Sequence, residues 1–474
     1  MPDSRNESTV GYDRRYRLAR TDRVDSLNQY YCFENPIFYM PTDLPPLQIG
    51  LAGFGNVGAG VFKNLEKNRD LLRERTGRDI VVRKIVVRDL SKSRELALPE
   101  RIVSTDLDDL INDDEIEIVV ELIGGTDRAF ELVKAALGKK KVVVTGNKAL
   151  LAAHGKELFA LAEQQQTPIY FEAAVAGGIP IIKTVQESLV GNHIESVTGI
   201  INGTCNYILT RMSEAGLGYE EALGEAKDLG YAEADPTLDV NGWDAAHKAI
   251  ILASLSYGCW LPEDEIYVEG IEKVSGKDTQ FADDLGYAVK LLGIIQLHPD
   301  SGSIEVRVQP SLISKDHILA SVKGVFNAIL VTGDVVGETL FYGSGAGQDP
   351  TSSAVISDLA DAATRVVGGN SRTGFVPHGL YGKPMPVEET VSKYYLRLEV
   401  EDRPGVLAQI STLLGENDIG ILSMIQPEGN ESEGAAPIVL MLHYAPFGVV
   451  CDTIERIAAL DCVREEPMWM RVEG

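Results

Sequence analysis

The densest run of polar side chains in the chain is the stretch Gly230–Lys248, GYAEADPTLDVNGWDAAHK. Pro236 and Gly242 break regular structure, so the first half is expected as loop, with a helix starting near Trp243. Asp244 and Lys248 then stand four residues apart and share one helix face. An exposed pair of this kind is an ordinary ion pair, worth only about 0.3–0.5 kcal/mol. The residues that follow, Ala249, Ile250, Ile251, Leu252 and Ala253, are apolar nearly all round the helix and predict burial. A buried Asp/Lys pair is costly unless it has a task, which favours a functional reading.

Two further features lie upstream. Gly53-Phe54-Gly55-Asn56-Val57-Gly58 joins a short apolar run to a helical one. Glycines at this spacing allow a tight turn and a close backbone approach, so a pyrophosphate can rest on the helix N-terminus. A purely structural turn is the alternative, and the strand-turn-helix setting favours a dinucleotide. An acidic residue at the end of the second strand would accept from an adenosine ribose hydroxyl, whereas arginine suits a 2′-phosphate. Here Arg88 is followed by Asp89, Lys92 and Arg94, which leans toward NADP without excluding NAD. Asn56, Val57, Gly124 and Thr126 are candidate cofactor contacts, and Lys148 follows the fourth strand, where it would touch cofactor or substrate or stay a solvated surface lysine.

The elements that must position these groups follow from patterning. Leu47–Ala52, Ile80–Val87, Ile116–Ile123, Lys141–Val144 and Pro168–Glu172 read as strands rich in β-branched residues. They alternate with helix-like segments such as Phe130–Leu137 and Ala149–Gln164, which predicts a parallel sheet buried on both faces. The fold class expected is α/β: a Rossmann-like NAD(P)-binding domain over 46–170, an α+β domain over 171–382, and a small unit over 391–474 that begins with an alternating strand, Tyr394–Val400. A linker holding Pro384 and Pro386 separates the last two, and residues 1–45 form an arm whose role is not legible.

Composition narrows the function classes. The chain has 474 residues, enough for about three domains at ~150 residues each. Its net charge of −26 argues against nucleic acid and anionic membrane surfaces as partners. The five cysteines include no CxxC and read as reduced thiols, and the seven histidines form no zinc pattern. No run of ~18 apolar residues and no secretory leader is present, so a soluble, cytoplasmic protein is expected.

The GFGNVG loop, the strand ending in Asn147-Lys148, NGTCNYIL at 202–209, the 230–248 segment and GSGAGQDPT at 343–351 together resemble homoserine dehydrogenase. EDRPGVLA at 401–408 resembles the start of an ACT domain, a βαββαβ module that binds amino acids. The resemblance covers 47–474. It implies reversible, NAD(P)-dependent interconversion of L-homoserine and L-aspartate 4-semialdehyde in threonine, methionine and isoleucine biosynthesis. It also implies Lys248 as proton donor and acceptor, provided neighbours and desolvation bring its pKa toward neutrality. Lys148 would be a second lysine near the nicotinamide, and Glu233, Asp244, Asp239 and Thr204 would bind substrate. Carboxylates are what an α-ammonium and a hydroxyl require. Glu172, Val175, Gly177 and Ile179 match an alkali-metal site for Na⁺ or K⁺, where the residues alone suggest only a turn. Gly347 matches a return of the chain to the cofactor.

The ACT-like unit implies feedback control by L-threonine and a homo-oligomer, dimer or tetramer, with an assembly module that binds nothing as the alternative. No aspartate-kinase domain is expected in the residues before Leu47. Two competing readings are a related amino-acid dehydrogenase and a non-catalytic amino-acid sensor on a dehydrogenase scaffold. A missing lysine or carboxylate in 230–248 would have favoured the sensor.

Overall fold

The computed structural model describes residues 44–92, 96, 98–368, 374–375, 378–427 and 434–473, with only the backbone helix given for 365–368. The arm at 1–45, except its last two residues, and Arg94 lie outside the described residues.

The first sheet is built of β1 (Leu47–Ala52), β2 (Ile80–Val86), β3 (Val103–Ser104), β4 (Ile118–Glu121), β5 (Val142–Thr145) and β6 (Ile169–Tyr170). Its order is β3-β2-β1-β4-β5-β6, and every neighbouring pair is parallel. This is a doubly wound Rossmann-like sheet whose order reverses between β1 and β4. The apolar runs are continuous because both faces are covered. Leu51, Val120 and Val144 pack on one face with Val61 and Leu65 of the helix Asn56–Lys67. Val119 and Val143 pack on the other with Leu132 and Val133 of Asp127–Gly138 and Leu150 and Leu158 of Lys148–Gln165. The two-residue edge strand β3 is not legible in the sequence, being too short to show a period.

The chain returns to this sheet through the helix Gln348–Gly368, which lies on Asn56–Lys67. That approach requires Gly60, where a Cβ would fall 2.7 Å from the Gln348 side chain and 3.0 Å from its carbonyl oxygen.

A second, mixed sheet follows. Its strands are β7 (Ile194–Ile200), β8 (Tyr267–Val268), β9 (Tyr287–His298), β10 (Ser303–Ser314), β11 (Phe326–Gly333), β12 (Gly337–Ser344), β13 (Val391–Glu401), β14 (Ile421–Ile425), β15 (Ala435–Pro446) and β16 (Met468–Glu473). They run in the order β12-β11-β7-β9-β10-β16-β13-β15-β14, with β8 beside β10. The helix Trp243–Tyr257 packs on β9 and β10 and against Lys148–Gln165, so it joins the two sheets. The final residues have the element order βαββαβ, with helices Val406–Glu416 and Phe447–Ala458, a ferredoxin-like arrangement.

The last unit, expected over 391–474, is joined to the middle region through the second sheet. β16 pairs parallel with β10 through Ser311–Arg471, Leu312–Val472 and Ile313–Glu473, so one sheet runs through both regions. The proline-containing linker is not free either, because Met385 N–H donates to the Ile304 carbonyl at 2.7 Å. Across this junction the Arg397 guanidinium donates to Asp278 at 2.6 Å, both buried. Among the described residues no helix is long and apolar enough to cross a membrane.

Candidate active site

A cleft of about 960 Å³ opens at the carboxyl ends of β1, β2 and β4, where the strand order reverses. Gly53, Gly55, Asn56, Arg88, Lys92, Gly124 and Thr126 line it, together with Phe54, Arg128 and Gln348. The glycines have separate tasks. Gly53 has φ +97°, and a Cβ there would sit 2.5 Å from the Leu122 carbonyl oxygen. A Cβ on Gly58 would meet the Gly53 carbonyl oxygen at 2.3 Å, so this glycine closes the turn. Gly55 has nothing within 4 Å and caps the helix Asn56–Lys67 without a side-chain bond, leaving its first amides to a ligand anion. Val57 and Gly58 lie in that helix behind the cleft wall.

Gly347, at φ +125°, turns the chain so that the Gln348 amide donates to Asn56 Oδ1 at 3.0 Å. At the other end, Asp89 Oδ1 accepts from Ser91 N and Oγ at 2.8 and 2.7 Å, which turns this carboxylate onto its own loop.

The second constellation joins the two sheets. Lys248 Nζ donates to Asp244 Oδ2 at 2.6 Å and to the Ile201 carbonyl at 2.7 Å. Lys148 Nζ lies 3.1 Å from the other Asp244 oxygen, Oδ1. Asp244 therefore stands between two ammonium groups, one from each sheet's helices. Burial opposes its ionisation, but the charges of Lys248 and Lys148 and the bonds from Lys248 and Asn202 hold its pKa well below the usual carboxylate range. For Asp239 burial wins, helped by the Asp244 charge, and its pKa is raised. The His247 imidazole is pushed down, first by burial.

Lys148 is aimed from β5 by a buried carboxylate. Glu121 closes β4, is fully buried, and accepts from Thr145 Oγ1 at 2.6 Å and from the Ile123 and Gly124 amides at 3.0 and 3.3 Å. Burial raises its pKa. Asn147 donates to the Gly125 carbonyl at 2.7 Å and caps the helix Lys148–Gln165 by accepting from Leu150 N. One hydrogen bond thus separates the cleft rim at Gly124-Gly125 from the residue that precedes Lys148.

The expected substrate residues are only partly assembled. Asp239 and Asp244 share the Asn202 amide, at 2.8 Å each. Thr204 Oγ1 donates to the Tyr231 carbonyl at 2.7 Å, tying a helix start to the 230 loop. Glu233 is exposed on that loop, and no hydrogen bond joins it to the cluster among the described residues.

Glu172 is buried, 3% exposed, and its carboxylate accepts the amides of Ile182 at 3.0 Å and Lys183 at 2.8 Å. Val175 and Ile179 are buried beside it, Ala176 adopts φ +51°, and a Cβ on Gly177 would meet the Gly345 carbonyl oxygen at 3.0 Å. Burial raises the Glu172 pKa. The Glu172 carboxylate keeps acceptor capacity beyond these two amides, oxygen ligands are what a hard cation takes, and the Ile179 carbonyl already accepts from Ile181 N at 2.8 Å. The sequence reading missed Asn202, Ile201, Glu121 and Gln348. Glu121 had a signal, a lone acid ending an otherwise apolar strand; the Ile201 carbonyl had none.

Residues 180–360 match the family model for homoserine dehydrogenase, and residues 53–172 match that for the homoserine dehydrogenase NAD-binding domain. A homoserine dehydrogenase of Pseudomonas aeruginosa is 44% identical, with 91% of this chain and 99% of the relative covered. The crystal structure of a homoserine dehydrogenase from Thiobacillus denitrificans superposes with a TM-score of 0.85 at 42% identity, covering 90% of this chain and 98% of that one. A hyperthermophilic archaeal homoserine dehydrogenase in complex with NADPH gives a TM-score of 0.57 at 29% identity, covering 68% of this chain and 98% of that one.

Proposed function

The chain belongs to the homoserine dehydrogenase family, and from that premise we propose that it interconverts L-homoserine and L-aspartate 4-semialdehyde with Lys248 as the proton donor and acceptor. The observation that carries this reading is the Asp244 carboxylate held between the Lys248 and Lys148 ammoniums at 2.6 and 3.1 Å. The residues of the β1–β4 cleft would hold NAD(P)H, which when bound would supply the hydride for C4 of the semialdehyde. Lys248 protonates the oxygen that becomes the hydroxyl, and in the reverse direction takes that proton back. Asp244 keeps the ammonium fixed between its bonds, and Lys148 adds positive charge where the oxygen becomes negative.

In this reading Asp239, Asp244 and Thr204 bind the substrate, and Glu233 joins them when the 230 loop folds onto it. Gly53, Gly55, Asn56, Val57, Gly58, Gly124, Thr126, Lys148 and Gly347 form or support the dinucleotide site. Arg88 and Lys92 would hold a 2′-phosphate, since Asp89 is turned onto Ser91. Glu172 with the carbonyls of Val175, Gly177 and Ile179 would hold Na⁺ or K⁺, which would brace the Ala173–Pro180 turn. The βαββαβ unit is an ACT domain that takes L-threonine and assembles a homo-oligomer, and the enzyme works in the cytoplasm. The domains are read as 46–170 for cofactor, 171–382 for substrate and dimerisation, and 391–474 for regulation.

The test is the initial rate of NADPH oxidation with aspartate semialdehyde, with and without millimolar L-threonine. Turnover that threonine lowers supports both halves. Turnover indifferent to threonine removes the regulatory half, and no turnover with either nicotinamide, in folded protein supplied with K⁺, refutes the catalytic assignment.

A further inference from the structure

We propose that Asn202 is the positioning residue that locks Asp239 and Asp244 into one arrangement around Lys248, an inference that rests on the dehydrogenase reading above. Asn202 follows β7 and is buried, 3% exposed. Its amide nitrogen has two hydrogens, and each goes to a different carboxylate: Asp239 Oδ1 at 2.8 Å and Asp244 Oδ2 at 2.8 Å. Its amide oxygen accepts from Cys205 N at 2.8 Å, capping the helix Gly203–Ala215. One planar group therefore fixes the helix start and both acids together. The carbonyl of the preceding residue, Ile201, accepts from Lys248. The dipeptide Ile201-Asn202 thus holds the ammonium with its backbone and the carboxylates with its side chain.

The Asp244 oxygen bonded by Asn202 is the one that bonds Lys248, which leaves Oδ1 for Lys148. Without the bridge, Asp244 keeps its two lysine partners but loses one donor, and nothing ties its carboxylate plane to Asp239. Asp239 and Asp244 would also face each other with no donor between them, and like charges brought together disfavour ionisation. Among the described residues, the other titratable groups around this cluster are Lys148, Lys248, His247 with Glu263 beside it, and Cys205 with Glu272 acting on it. Burial and the Asp244 charge raise Asp239, whereas the Asn202 bond lowers it, so loss of the amide moves Asp239 further up.

Capping and bridging separate by substitution. Asn202→Ser keeps an oxygen able to accept from Cys205 N but is too short to bond both carboxylates. Asn202→Asp keeps the capping oxygen and sets a third carboxylate against the other two. In the purified full-length protein, Asn202→Ser is expected to retain its melting temperature within a few degrees and its NADPH affinity within about twofold. Its kcat falls about 10- to 100-fold, and the acid limb of the kcat–pH profile moves to higher pH; in Asn202→Asp the limb moves further.

A folded Asn202→Ser with the wild-type kcat and acid limb overturns the proposal. If Asn202→Ser does not fold, Asn202→Asp is read by the same criterion. Should the wild-type protein not turn over at all, the dehydrogenase reading fails instead. The bridge is then judged by titrating ¹³Cγ-labelled aspartates: a raised Asp239 midpoint in Asn202→Ser supports it, and an unmoved one refutes it.

Discussion

Replacing Lys248 by alanine removes a group that bonds both Asp244 Oδ2 and the Ile201 carbonyl, at 2.6 and 2.7 Å. Two effects follow, and the structure separates them. The chemical one is loss of a positioned proton donor, which costs about 10²- to 10⁴-fold in rate, or roughly 2.7–5.4 kcal/mol of barrier. The structural one is a buried carboxylate with one cation fewer. Removing one partner of a buried pair ordinarily costs about 3–5 kcal/mol of stability. Lys148 remains 3.1 Å from the same carboxylate, so the loss here belongs at or below the lower end of that range. The cofactor cleft is walled by other residues, and NADPH affinity should change by less than about twofold.

Lys248→Arg completes the design. It keeps a positive charge beside Asp244, but a guanidinium with a pKa above about 12 does not give up its proton at neutral pH. If proton transfer is the task, Arg fails nearly as badly as Ala; if charge alone matters, Arg recovers most of the rate. The assay is steady-state NADPH oxidation with aspartate semialdehyde, with NADPH fluorescence titration and thermal melting as controls. Lys248→Ala with near-wild-type kcat, or a loss of kcat matched by an equal loss of NADPH affinity, would refute the reasoning.

Arg88→Ala should raise KM for NADPH about tenfold and leave KM for NADH within about twofold, measured by initial rates with each cofactor; equal effects on both would remove Arg88 from the 2′-phosphate site. Exchanging K⁺ and Na⁺ for tetramethylammonium should lower the rate several-fold and reversibly, and Glu172→Gln should blunt that response; a rate indifferent to the cation argues against the site. Lys290, a buried residue of β9, donates to Asn206 Oδ1 at 3.1 Å and to the Val322 carbonyl, and burial pushes it down to about 8. An unfolded lysine titrates near 10.4, so between about pH 8 and 10.4 the unfolded chain binds more protons, and this group makes stability rise with pH across that window. In Lys290→Met the difference in urea midpoint between pH 7.5 and pH 10 should shrink toward alkaline loss; an unchanged difference would refute the assignment.

What was legible in the sequence was local. GFGNVG lies between a strand and a helix, so its turn, its cap and the strand exit are all set by neighbours within a few residues, and the cleft formed where the spacing placed it. Asp244 and Lys248 are one helical turn apart, so their 2.6 Å bond follows from helix geometry once the apolar run Ala249–Ala253 forces burial. The helix expected to start near Trp243 does so because Gly242, at φ +88°, precedes it, and Gly258, at φ +66°, ends it after Tyr257. The strands β7 and β9 went unread, because β9, YAVKLLGIIQLH, carries an apolar run whose period does not distinguish strand from helix.

Tertiary structure decided the rest. Lys148 reaches Asp244 across 96 positions, and Asn202 reaches the same carboxylate across 42, contacts that no local pattern encodes. Glu233, in the most chemically suggestive segment of the chain, stays in solvent, since a loop residue's reach depends on what the loop packs against. The join of β10 to β16 carries one sheet through the middle and last regions, for a strand edge pairs with whichever strand the packing brings alongside. Periodicity and turn chemistry act over a few residues and can be read along the chain. Which buried charges meet is set by the closure of long loops around a shared core, and that is a property of the whole fold.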